Sequence, residues 1–150
     1  MLLGREGVNP DKPDYEGRTS LSHAAEGGHG GVVEVLLKQE GVDPDKLDND
    51  GRTPLSYVGC DANLLENGGH TGIAGVLLGR EDVKPDQPAN NGRTPLSHTA
   101  SRGRERLVEI LLGREEVNPD KPDVDGRTPL SHAAGSTPYL HPKSPGGVLC

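Results

Sequence analysis

The 150-residue sequence contains no phenylalanine and no tryptophan, only three tyrosines and a single methionine. Aromatic side chains usually bring the largest buried areas to a core, so any core here has to be assembled from Leu, Val, Ile and Ala. Basic clusters are missing as well. The formal net charge is -7, with the acids spread along the chain, which argues against nucleic acid or an anionic membrane surface as a partner. No apolar run approaches the ~20 residues of a membrane span. The opening stretch Met1-Leu2-Leu3-Gly4-Arg5-Glu6 has no apolar signal-peptide region. Two cysteines, Cys60 and Cys150, are too few for a disulfide framework, and an intracellular, cytoplasmic location is expected.

What the chain does have is glycine, proline and a period. Gly (22) and Pro (13) make up nearly a quarter of the residues, a level that signals low complexity unless they recur regularly. They do recur. The segment Gly17-Arg18-Thr19-Ser20-Leu21-Ser22-His23 returns as Gly51-Arg52-Thr53-Pro54-Leu55-Ser56-Tyr57, as Gly92-Arg93-Thr94-Pro95-Leu96-Ser97-His98 and as Gly126-Arg127-Thr128-Pro129-Leu130-Ser131-His132, after steps of 34, 41 and 34 residues. A second marker keeps the same steps: Val8-Asn9-Pro10-Asp11, Val42-Asp43-Pro44-Asp45, Val83-Lys84-Pro85-Asp86 and Val117-Asn118-Pro119-Asp120.

Each unit reads as turn, helix, helix. Asp and Asn beside Gly, as in Asp48-Asn49-Asp50-Gly51, favour a tight turn or hairpin tip. The Thr hydroxyl can cap a helix start, and Pro is tolerated at the first helical position, which predicts helices from near Pro54, Pro95 and Pro129; Ser20 stands in for Pro in the first unit. Gly27-Gly28 and Gly103 should stop these short helices. A second helix follows through Val32 to Leu37 or Leu107 to Leu112, whose apolar positions fit a helical face. Helices this short are marginal alone. Stacked copies supply the neighbours they need, giving an all-α solenoid of helix-turn-helix units joined by turn or hairpin loops.

A Gly-x-Thr-Pro-Leu segment, two small residues, Gly and a Val- and Leu-rich helix every ~33 residues resembles the ankyrin repeat, and the resemblance covers roughly residues 1 to 135. The wording Gly-Arg-Thr-Pro-Leu-Ser resembles in particular the ankyrin arrays common in filamentous fungi, where such arrays often form the sensor end of larger signalling proteins. There are departures. The family's His after Thr-Pro-Leu is Ser22, Ser56, Ser97 and Ser131 here, and a hydroxyl is expected to take over part of its hydrogen bonding. The family's Asn before the next turn, a hydroxylation target, is replaced by Asp11, Asp45, Asp86 and Asp120; Asn9 and Asn118 lie two residues too early.

The expected organisation is a partial unit at 1–13, units at 14–47, 48–88 and 89–122, a partial unit with its first helix only at 123–134, and a disordered tail at 135–150. The chain would then begin inside a second helix and end after a first one, leaving apolar faces around Leu130 bare and prone to self-association. The 48–88 unit carries seven extra residues between Tyr57 and His70. The spacing of Leu55, Val58, Ala62 and Leu65 allows a first helix prolonged to about Glu66 and stopped by Asn67-Gly68-Gly69. The rival is a short helix followed by a loop, since Gly59 weakens a helix.

Chemistry finds little foothold. His23, His98 and His132, with Tyr57, share one position of the repeat; they read as helix-surface residues too far apart for a metal ion. Cys60 has no ligand-spaced partner and reads as a small side chain in an inserted turn. The Ser–His neighbours recur with the scaffold and point in different directions on a helix, so no enzyme and no cofactor are expected. Arg18, Arg52, Arg93 and Arg127 form a ladder, read either as a stripe for an acidic partner or, in preference, as paired with nearby acids.

The resemblance implies a protein partner on the concave side built by tips and first helices. The matching positions are Tyr15, Glu16, Arg18 and Glu26; Asn49, Asp50 and Arg52; Asn90, Asn91, Arg93, Ser101 and Arg102; and Val124, Asp125 and Arg127. They vary between units and are not expected to be needed for packing. Tyr and Arg are the expected hot spots among them. Two other readings compete with a protein-binding scaffold: a regulatory piece of a larger signalling protein, and a truncated array without function.

Overall fold

A computed structural model of the chain describes residues 7–58, 60 and 68–135. Among these residues there are seven helices and no strand: α1 (Ser20–Glu26), α2 (Gly30–Leu37), α3 (Pro54–Tyr57), α4 (Gly68–Leu78), α5 (Pro95–Ser101), α6 (Glu105–Leu112) and α7 (Pro129–Ala134). The expected N-terminal second helix at Leu2-Leu3 lies outside the described residues, as does the tail beyond residue 135.

The Thr-Pro-Leu-Ser segments start the helices as expected. Thr19, Thr53, Thr94 and Thr128 are extended N-caps whose hydroxyls accept from the backbone N–H three residues on, with Pro at the first turn of α3, α5 and α7. A cap of this kind contributes about 1 kcal/mol. The Ser that replaces the family's His joins it. Ser22, Ser56 and Ser97 Oγ lie 3.3, 3.1 and 3.2 Å from the Thr19, Thr53 and Thr94 hydroxyls, and Ser131 Oγ donates to the Thr128 carbonyl at 2.8 Å. The first three of these Thr–Ser pairs are buried, so the hydroxyls satisfy one another where water is excluded.

The helices form two layers. α1, α3, α5 and α7 stack in order in one layer, and α2, α4 and α6 in the other; α1 packs on α2, and α5 on α6. Between the layers runs a single aliphatic core that includes Leu21, Leu55 and Leu96 from the first helices and Val33, Leu36, Ile73, Leu77, Leu107 and Leu111 from the second. Val83 and Val117 of the Val-x-Pro-Asp loops close it from below. Those loops are also stitched to one another: the Lys84 backbone N–H donates to Asp45 Oδ2 at 2.7 Å, and Lys121 Nζ lies 3.3 Å from Asp86 Oδ2.

The long unit departs from the prolonged first helix. α3 ends at Tyr57, and Val58 is extended at φ -62 and ψ 121 while almost fully buried. A continuous helix from Pro54 to Glu66 is therefore ruled out; residues 61–67, which carry most of the insertion, lie outside the described residues. Gly68 and Gly69 begin α4 where a helix stop was expected. The reason is steric: a Cβ on Gly69 would stand 2.5 Å from the Gly28 carbonyl oxygen, so this contact between neighbouring units accepts only glycine. Cys60, expected as a small side chain in an inserted turn, is buried beside Tyr57.

Candidate functional site

The tips are built by one recurring device. Asp48 Oδ1 accepts from the N–H groups of Asp50 and Arg52, both at 2.9 Å, while Gly51, at φ 76, closes the turn by donating to the Asp48 carbonyl at 3.0 Å. Asp14 and Asp123 do the same for their tips. In the third tip Ala89 occupies that place, and Asn91 Oδ1 accepts from the Arg93 N–H at 3.0 Å instead.

Adjacent tips are tied together. The backbone N–H groups of Asn49, Asn90 and Val124 donate to the carbonyls of Glu16, Asp50 and Asn91 at 2.9, 2.8 and 3.0 Å. The side chains of Asn49 and Asn90 add bonds to the Tyr15 and Asn49 carbonyls at 2.9 and 3.2 Å. Asn49 and Asn90, expected to be dispensable for packing, are not: their amides hold neighbouring tips in place.

The recurring His/Tyr position faces inward more than expected. His23 is exposed and sits 2.8 Å from Asp14 Oδ2, but Tyr57 and His98 are only 3% and 1% exposed. The Tyr57 hydroxyl donates to Asp48 and accepts from Arg52 at 3.5 Å, and Arg18 lies over its ring at 4.2 Å, a cation–π contact between units. Burial, then the bond to Asp48, pushes the Tyr57 hydroxyl up to about 12. His132 Nε2 lies 2.7 Å from Asp123 Oδ2. His98 breaks the pattern. Its carboxylate partner would sit at Ala89, and neither ring nitrogen has a hydrogen bond. Burial, and next the charges of Arg93 and Arg52, hold it down to about 3, so it is a neutral imidazole.

The arginine ladder runs along the same face, and its four members are unequal. Arg18 pairs with Glu26, eight residues on. Arg52 lies 3.5 Å from Asp50. Arg93 has no carboxylate partner among the described residues; its Nη2 donates to the Ser101 hydroxyl at 2.7 Å and to the Ser97 carbonyl at 3.3 Å. Burial, and beside it the charges of Arg102, Arg52 and Arg127, hold the Arg93 guanidinium below its ordinary value, with Asp123 working against them. The preference for paired arginines thus describes Arg18 and Arg52 but not Arg93.

Every sequence-derived site residue stands at the surface or half-buried on this face. Tyr15, Glu16, Asn49, Asp50, Asn90, Asn91, Val124, Asp125 and Arg127 are exposed; Arg18, Glu26, Arg52, Arg93, Ser101 and Arg102 are half-buried. His98 was missed as a distinctive residue. Its signal was available in the aligned units, where Ala89 interrupts the run Asp14, Asp48, Asp123. Among the described residues no three His, Cys, Asp or Glu converge to hold a metal ion, and no helix is long and apolar enough to cross a membrane.

None of the curated proteins compared with the chain matches it. Two family models do match: ankyrin repeats (many copies) over residues 2–58, and ankyrin repeats (3 copies) over residues 62–140. Ankyrin repeats are in general modules of protein–protein interaction. With capped Thr-Pro-Leu-Ser helices stacked in two layers and family models covering most of its length, the chain belongs to the ankyrin-repeat family.

Proposed function

We propose that the chain is a non-catalytic scaffold that binds a protein partner on the face formed by its tips and first helices. One observation carries this reading: on that face the exposed tip positions change from unit to unit over a repeated capping frame. The first tip residue after Asp or Ala is Tyr15, Asn49, Asn90 and Val124, all four exposed. The capping Thr and the Leu and Ser that follow are the same in all four. A surface that varies over an invariant frame is what distinguishing one partner from another requires. Functional units at 14–47, 48–88 and 89–122 and a cytoplasmic setting belong to this proposal, as does the absence of any cofactor. The net charge of -7 weighs against a nucleic-acid partner.

The test places a photo-crosslinking amino acid at Tyr15 or Val124 on this face, or at the exposed Glu34 or Glu109 on the second helices. Adducts with one defined protein should form from the first pair only. Equal labelling from both pairs, or none from either, overturns the scaffold reading.

A further inference from the structure

The four first helices share one sequence frame but not one pattern of burial. Every residue of α3, and Pro95 to Ala100 of α5, is buried, since each of these helices has a first helix on either side. α1 has a neighbour on one side only. Its Leu21, Ser22, Ala24 and Ala25 are buried, while Ser20 and His23 are exposed. α7 shows the inverse. Its Pro129 is buried and His132 half-buried, while Leu130, Ser131, Ala133 and Ala134, the counterparts of the four that α1 buries, are exposed. Leu130 is 75% exposed where Leu96 is 2%.

The tips end in the same complementary way. In each joint the first tip residue, Asn49, Asn90 or Val124, donates its backbone N–H to the second tip residue of the unit before. Among the described residues, the Tyr15 N–H and the Asp125 carbonyl are the two members of this ladder without such a bond. A Cβ on Gly17, Gly51 or Gly92 would stand 2.7, 2.5 or 2.8 Å from the following tip, but on Gly126 it would meet nothing within 4 Å.

We infer that a second copy of the chain stacks head to tail on α7. Its α1 takes the place that α7 takes on α5, and its Tyr15 N–H donates to the Asp125 carbonyl. Three contacts of this kind already exist within the chain, α1 with α3, α3 with α5 and α5 with α7, so the seam continues an interface that the fold already uses. It removes Leu130 from water. The inference goes beyond the scaffold reading, which concerns a different protein. Because two unlike surfaces meet, each added copy leaves a fresh α7 bare, and the assembly grows as an open array rather than closing as a pair. No second helix follows α7 among the described residues, so the seam lies in the first-helix layer and is weaker than the joints within one chain.

The experiment uses two variants of the full chain, each blocking one end. Leu130→Glu puts a charge on the bare face of α7. Ser20→Glu does so on α1, at an exposed first-turn position where an acid suits the helix start. Alone, each should sediment with self-association weakened about tenfold or more from wild type. Mixed in equal amounts, they should form a one-to-one pair of wild-type strength, because one intact α7 still meets one intact α1, and growth should stop there. Ala133→Lys, exposed on the same helix, replaces Leu130→Glu should that variant lose its helical circular dichroism. A wild type that stays monomeric overturns the inference. So does a mixture that forms no one-to-one pair, or Ser20→Glu that self-associates like the wild type, since α7 would then pair with α7. None of these results touches the scaffold reading, which stands on adducts with a different protein.

Discussion

At the residue scale, the third unit is defined by a missing carboxyl group. Asp14, Asp48 and Asp123 each serve the His or Tyr nine residues on, and Ala89 cannot. His98 is left buried, neutral and without bonds. An unfolded histidine titrates near 6.5, whereas folded His98 stays neutral down to about 3. The unfolded chain therefore takes up a proton first as the pH falls, and folding stability present above 6.5 is lost progressively below it. The loss from this group should reach about 2 kcal/mol at pH 5 relative to pH 7.5. Burial depresses His132 in the same direction and adds to the slope. Ala89→Asp should restore the partner, raising stability at pH 7 by about 1 kcal/mol and flattening the acid slope. Urea melts at pH 7.5 and 5 measure both effects; an unchanged slope would show that Ala89 is not the cause. The unsatisfied imidazole was legible in the aligned repeats as an interrupted column of Asp. Its burial was not, because the position looks like an ordinary polar site on a short helix until the neighbouring units are stacked against it.

At the element scale, helix starts were legible and one helix end was not. Thr followed by Pro fixes a start through local bonds that need no knowledge of the rest of the fold. The end of α3 depends on tertiary contacts: Tyr57 is held by Asp48, and Val58 turns away to stay buried. The apolar spacing Leu55, Val58, Ala62, Leu65 is compatible with a helical stripe, but spacing alone cannot outweigh those anchors. The pair Gly68-Gly69 was misread for a related reason, since a glycine demanded by a neighbouring backbone looks the same in sequence as one that ends a helix. α4 contains Gly68, Gly69, Gly72 and Gly75, so its intrinsic helical preference is poor and its packing through Ile73, Ala74, Leu77 and Leu78 has to hold it. Two alanine substitutions in this one helix should then act in opposite directions. Gly72→Ala meets open space and should stabilise by about 0.5–1 kcal/mol. Gly69→Ala meets the Gly28 carbonyl and should cost about 1–3 kcal/mol. Thermal melts of the two variants decide the matter, and a stabilising Gly69→Ala would mean the units do not approach as described.

At the scale of the whole molecule, Leu130 on α7 is 75% exposed and Val124 just before it 71%. Two large exposed apolar side chains in the last unit of the stack favour pairing of that unit with another surface. The apparent mass by sedimentation should rise with protein concentration, and Leu130→Gln should suppress the rise. A concentration-independent monomer that the substitution leaves unchanged would count against self-association. The solenoid itself was the most legible feature of all, because a period is visible without knowing any contact; which side chains on its exposed face matter depends on differences between copies. The bonds from tip to tip, and from Asp45 to the Lys84 N–H along the opposite edge, each reach only the adjoining copy. Tension applied across the molecule would therefore be borne in series. The weakest joint would part first while those beyond it kept their form, so the array should lengthen in discrete steps and close again in the reverse order when the load is removed.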